Sequence, residues 1–275
     1  MSDEALLAWG LPRLRDLPWR RTRDPWAVLV SEVMLQQTQV ARVIPKYLAF
    51  LEAFPTPAEC AAASLGDVLR SWQGLGYPRR ARNLHAAAAE VAARGSFPES
   101  LPDLLALPGV GQYTARAVLA FAFEADAAVV DTNIARVYAR VAGRSLTAKE
   151  VQAAADLSLP PGDGWAWNQC LMELGATLCR PGVPACDECP LQRECAWRGV
   201  GPDPAIGSAG VSRPQARFEG SERQARGRLL KALSDGGVRI VDAPVVMAHA
   251  AAQQLIEALC REGLVRRDGE WLLLP

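Results

Sequence analysis

SLPDLLALPGVGQYTARAVLAFAF, residues 100–123, decides the fold. Apolar residues recur at helical spacing on both sides of Leu107-Pro108-Gly109-Val110-Gly111, so the stretch reads as helix, tight turn, helix over about 104–120. Gly109 and Gly111 can each take positive φ and leave backbone N–H groups exposed ahead of Gln112, where the next helix starts. Exposed amides at a helix N-terminus hold a phosphate without side-chain charge. Gly109, Gly111 and Gln112 are therefore candidate phosphate-binding positions. Many turns share this composition, so its weight depends on what surrounds it.

Twenty residues after Gly111 comes Asp131, in AAVVDTNIARV (127–137), directly after an apolar run and at the start of a helical pattern. A carboxylate there serves as an N-cap, as a reacting group, or as both. Further out the pattern stays helical. DPWAVLVSEVMLQQTQVARVIPKYLAFLEAF (24–54) is a long amphipathic stretch interrupted at Pro45. A single helix is expected within 58–76, another ending at Gly95, and others over 132–144, 148–159 and 165–179. Strand signals are nearly absent before residue 200, so the class is all-α.

Residues 201–220 are rich in Gly, Pro and Ser and read as a linker. Over 221–275 the order is helix, helix, then a hairpin turning at Asp268-Gly269, which predicts a small winged-helix-like module leaning on a catalytic region spanning 1–200.

Four of the seven cysteines fall within one short loop, as Cys179-x6-Cys186-x2-Cys189-x5-Cys195. Four thiolates so close need a metal between them. A zinc tetrathiolate and a [4Fe–4S] cube are the two solutions. Structural zinc sites usually show two Cys-x2-Cys pairs, and only one is present, which favours the larger cluster. Arg180, Arg193 and Arg198 flank the loop as candidate phosphate contacts.

Lys+Arg and Asp+Glu both number 30, so formal net charge is zero, which is unusual for a duplex-binding chain. Only Lys46, Lys149 and Lys231 are lysines. The remaining cations are arginines, clustered at 13–23 and 79–82, and arginine suits bidentate phosphate contacts. No signal peptide or membrane span is read from the sequence. A cytoplasmic monomer is the expectation.

Hairpin, Asp131 and cysteine spacing together resemble the helix-hairpin-helix base-excision DNA glycosylases of the endonuclease III-like branch, over about residues 5–198. WRRTRDPWAVLVSEVMLQQTQV (19–40) resembles the adenine glycosylase (MutY-type) branch. The resemblance implies double-stranded DNA with adenine opposite 8-oxoguanine or guanine as partner, and a [4Fe–4S] cluster on Cys179, Cys186, Cys189 and Cys195. Where bifunctional members carry a Schiff-base lysine, this chain has Tyr113, so lyase activity is expected to be weak or absent. Glu32 lies among apolar neighbours, and burial raises the pKa of a carboxylic acid, as a proton donor near neutral pH requires. The resemblance gives Glu32 protonation of adenine N7 and gives Asp131, ionised, stabilisation of the oxocarbenium sugar. Tyr113 and Asn133 assist around the sugar. Trp19, Arg20, Leu35 and Glu173 line the adenine pocket, while Gln37 and Tyr77 fill the gap left by the flipped base. The alternative is a related glycosylase for thymine or uracil opposite guanine. The family's usual C-terminal 8-oxoguanine-reading domain does not fit into 221–275, which leaves open how the opposite base is recognised.

Overall fold

A computed structural model describes residues 3–211 and 216–275. Fourteen α-helices and one small sheet are defined among them. They form two compact units that alternate along the chain. One holds the described residues up to Val28, Glu99–Leu105, and those from Val110 to 211. The other holds Leu29–Pro98, Ala106–Gly109 and the described residues from 216 on.

In the first unit the core is built on α9 (Thr132–Ala142) and α11 (Gly164–Thr177), with α1 (Asp3–Gly10) and α10 (Ala148–Ser158) against them. Leu6, Ile134, Val137, Tyr138, Trp167, Leu171 and Leu174 fill it. Glycine makes the closest approaches possible. A Cβ on Gly10 would meet Cys170 Sγ at 2.4 Å, and one on Gly175 would meet Asn133 at 2.6 Å.

In the second unit α4 (Pro57–Ala62), α5 (Leu65–Ser71) and α6 (Arg79–Arg94) pack together, and α3 (Val40–Ala53) packs on α5. Phe50 lies edge-on to Phe54 and Trp72, at 5.0 and 6.1 Å. Two helices stand where one was expected over 58–76, because Ser64 accepts the Asp67 N–H and caps a fresh start. The stretch 24–54 breaks elsewhere than expected. Helix α2 (Pro25–Leu35) stops before Gln37, which adopts φ +56°, whereas Pro45 lies inside α3. Pro45 forgoes one ladder bond, and burial of Val43, Tyr47 and Phe50 on the same helix offsets that loss.

The hairpin consists of α7 (Leu101–Ala106), the turn, and α8 (Gln112–Ala122). Gly109 takes φ +77°, and a Cβ there would sit 2.6 Å from Asn83. Gly111 differs from expectation: at φ −101°, ψ 179° it is extended, because it serves as the N-cap of α8.

Residues 201–211 carry no regular element but are pinned. Asp203 pairs with Arg140, and the buried Ser208 accepts the Leu146 N–H at 3.0 Å. The C-terminal elements run α12 (Glu222–Asp235), β1 (Val238–Arg239), α13 (Ala243–Met247), α14 (Ala252–Arg261), β2 (Arg266–Asp268) and β3 (Trp271–Leu273). The antiparallel sheet has order β1-β3-β2. Two elements, β1 and α13, were not legible in the sequence, one being two residues long and the other five.

Candidate active site and cluster loop

Asp131 is half-buried at the N-cap of α9. Its Oδ1 accepts the Ile134 N–H at 2.7 Å and its Oδ2 accepts Asn133 Nδ2–H at 2.9 Å. Burial pushes its carboxyl above the ordinary aspartate value. The Ile134 and Asn133 N–H bonds and the Arg136 charge pull against that rise. The capping role is observed directly.

Asn133 is held in turn. Its Oδ1 accepts Arg136 Nη2–H at 2.8 Å, and the same guanidinium donates to Gly175 O at 2.6 Å and Cys179 O at 2.7 Å. Asp131 is thus the end of a bonded chain that begins in the cysteine loop. Arg140, one turn further along α9, is 1% exposed. It donates to Cys179 Sγ at 3.3 Å, pairs with Asp203 and stacks on Trp197 at 4.6 Å. Neither arginine stood out in the sequence. Their signal was the i, i+4 spacing in NIARVYARV, which puts both on one face of a helix whose neighbouring residues are buried.

All four cysteines line one hollow, together with Arg140, Trp197 and Arg198. Among the described residues, no group of three or more His, Cys, Asp or Glu is arranged to hold one metal ion. A single zinc draws its sulfurs to about 2.3 Å from the ion. Burial raises the Cys179 and Cys186 thiols and pushes Cys189 up to about 11, so thiolates here require compensating positive charge. Arg140 supplies part of it, and the Arg198 N–H donates to Cys195 Sγ at 3.4 Å. The donor set fits a [4Fe–4S] cluster. Cys60 and Cys170 are buried elsewhere, and Cys260 is half-buried.

Around residue 20, Glu173 is 1% exposed and takes ion pairs from Arg15 at 2.6 Å and Arg20 at 3.0 Å. Arg20 also donates to Gln169 Oε1 at 2.7 Å. Trp19 is buried, and Tyr113 is half-buried in the first turn of α8. The 13–23 arginines are occupied within the protein: Arg21 pairs with Asp16 and Arg23 with Glu124.

In the second unit Glu32 is 5% exposed on α2, amid Val28, Leu29, Val33 and Met34. Leu35 ends that helix, and Gln37 is exposed beyond it. Tyr77 adopts φ +49° after Gly74 and Gly76, at +90° and +72°. Arg80 ties these two segments together. Its Nη1 donates to the carbonyls of Val33, Met34 and Gln36 at 2.6–3.0 Å, and its Nη2 to those of Leu75 and Gly76 and to Thr38 Oγ1. The 79–82 cluster is therefore internal wiring at Arg80 rather than the free phosphate contact its composition suggested.

Comparison with known proteins places this fold and site in a family. Residues 30–161 match the HhH-GPD superfamily of base excision DNA repair proteins. The adenine DNA glycosylase of Mycolicibacterium smegmatis is 41% identical, over 99% of this chain and 96% of its own length. The human adenine DNA glycosylase is 42% identical over 70% of this chain and 39% of its own. A thermostable thymine-DNA glycosylase structure superposes with TM-score 0.68 at 30% identity, covering 71% of this chain and 94% of that one. The chain belongs to the adenine DNA glycosylases of the HhH-GPD superfamily. Among the described residues, no helix is long and apolar enough to cross a membrane.

Proposed function

We propose that this enzyme excises adenine opposite 8-oxoguanine or guanine in duplex DNA, hydrolysing the N-glycosidic bond inside the cell as a monomer and without a lyase step. The observation that carries this is Asp131, a carboxylate fixed by Ile134 and Asn133 in a member of the adenine glycosylase family.

Glu32 gives its proton to adenine N7. The C1′–N9 electron pair then leaves with the base, and positive charge develops on the sugar. Asp131, ionised, stabilises that charge while water adds at C1′ and releases a proton. Asn133 orients Asp131, and Tyr113 flanks the sugar. Tyr113 has no amine, and the chain's only lysines are Lys46, Lys149 and Lys231, so no Schiff base forms at the hairpin. Trp19, Arg20, Leu35 and Glu173 shape the adenine pocket. Gln37 and Tyr77 occupy the gap in the stack. Gly109, Gly111 and Gln112 hold a backbone phosphate.

Cys179, Cys186, Cys189 and Cys195 would hold the [4Fe–4S] cluster, whose part would be to fix the loop rather than to take a chemical step, while Arg180, Arg193 and Arg198 of that loop give it local positive charge. Residues 1–200 are the catalytic region, 201–220 join it to the appendage, and 221–275 act as a winged-helix module.

The 30% identical thymine-DNA glycosylase supports a second reading, in which the excised base is thymine or uracil opposite guanine. Duplexes carrying A:8-oxoG, A:G, T:G and U:G, cleaved by alkali after incubation, separate the two. Adenine release is expected, and release of thymine or uracil without adenine overturns the first reading. Glu32→Gln should lose adenine release while keeping the fold.

A further inference from the structure

The turn that carries Tyr77 is gripped by the C-terminal segment. Arg223, in the first turn of α12, donates Nη1–H to the Tyr77 hydroxyl at 2.8 Å. Its guanidinium lies 6.0 Å from the Tyr77 ring centre and 5.9 Å from that of Phe218, and its Nη2 donates to Ala216 O at 2.7 Å. Just beyond, Glu262 pairs with Arg79 at 2.5 Å and with Arg226, and its carbonyl accepts Arg82 Nη1–H at 2.5 Å. Tyr77, Arg79 and Arg82 are thus each held from residues 216–275.

Two features make this more than packing. A tyrosine at φ +49° sits in a conformation that L-residues rarely adopt, and such strain persists only where the surroundings enforce it. The aromatic rings that flank the guanidinium also stay open to solvent: Tyr77 is 36% exposed and Phe218 57%. A guanidinium within about 6 Å of two part-exposed rings, with Arg80 at 5.5 Å from the Tyr77 centroid as a second cation, forms a preorganised surface on which a nucleobase stacks.

We infer that Phe218, Arg223 and Tyr77 form the shelf that receives the base opposite the excised adenine, with Phe218 touching that base and Arg223 acting as the positioning residue for Tyr77. The C-terminal segment thereby takes part in specificity. This deepens the function proposed above and rests on it for the identity of the strand being read.

Two measurements test it. In single-turnover excision with enzyme in excess, Arg223→Ala should slow A:8-oxoG about tenfold but A:G by no more than about threefold, compressing their ratio. Tyr77→Phe should compress it in the same direction, and the double variant should be no worse than Arg223→Ala alone. Arg223→Lys should recover only part of the ratio, because an ammonium donates a hydrogen bond but cannot stack as a plane. Phe218→Ala should compress it too. Equal losses on both duplexes, additive losses, or an unchanged ratio overturn the shelf. If Arg223→Ala lowers the melting temperature so far that it is not folded, Phe218→Ala and Tyr77→Phe decide alone. The second measurement is equilibrium binding to 8-oxoguanine or guanine placed opposite a tetrahydrofuran abasic analogue. It needs no excision, so an enzyme that releases no adenine removes the proposed function while this ratio still judges the shelf.

Discussion

Asp131 and Tyr77 are each held by hydrogen bonds, yet in opposite ways. Asp131 stands at a relaxed N-cap with extended backbone, its two oxygens filled by an amide N–H and by Asn133. Tyr77 stands in a left-handed conformation on a glycine-rich turn, exposed and gripped through its hydroxyl by Arg223. A group that must meet developing charge gains from fixed surrounding dipoles, which need no reorganisation during reaction. A group that must enter a base stack gains from standing proud of the surface, and local strain is the cost of that posture. The two sites therefore respond to different kinds of damage.

The widest separation comes from Asp131→Asn. An amide caps α9 as well as a carboxylate does, so stability should change by less than about 1 kcal/mol in urea titration. Excision should fall by about 10³-fold with DNA binding retained. Normal excision in this variant removes Asp131 from the chemistry. Cys189→Ser attacks the same site from behind, through the loop that holds Arg136 and Asn133. Iron should drop below about four per chain, and unfolding should shift to lower denaturant by on the order of several kcal/mol. Stoichiometric zinc in the unaltered protein would refute the cluster.

Gly109→Ala sets a methyl group against Asn83 at a positive φ and should cost about 1–2 kcal/mol, with DNA affinity falling before any change in substrate preference. The smallest effect is a pH shift. Burial raises Asp131, so if it works ionised, the acid limb of the excision profile lies above the ordinary aspartate value. Asn133 donates to the ionised form. Asn133→Ala should therefore favour the protonated form and move that limb higher still. The stability consequence has the same sign: a carboxyl raised on folding favours the folded state at low pH and loses that contribution as pH rises past its unfolded value. A limb that stays put breaks the link between Asn133 and Asp131.

Much of this was legible in the sequence because it is local. The hairpin, the Asp131 cap, the Gly95 and Gly143 helix stops and the cysteine spacing each depend on a few consecutive residues. The missed features depend on long-range partners. Arg136 and Arg140 carry no local mark of the carbonyls of Gly175 and Cys179 that they reach. Arg80 read as a phosphate contact because nothing local indicates that carbonyls from residues 33–36 will converge on it. Gln37 was placed within a helical stretch, since Gln carries no turn signal and the left-handed kink follows from what Arg80 holds. The grip of residues 216–262 on Tyr77 crosses more than a hundred residues, beyond any periodicity.

Arg80 has one more consequence. Among the described residues, each hydrogen-bond partner it has is a carbonyl or a hydroxyl and its nearby rings are Trp72 and Tyr77, so dipoles solvate its charge and no carboxylate there cancels it. A chain of zero formal charge thereby keeps a fixed positive pole beside the Tyr77 turn, felt over about 8 Å at physiological ionic strength. Added salt should weaken the attraction of duplex DNA to this face even if the guanidinium never touches a phosphate.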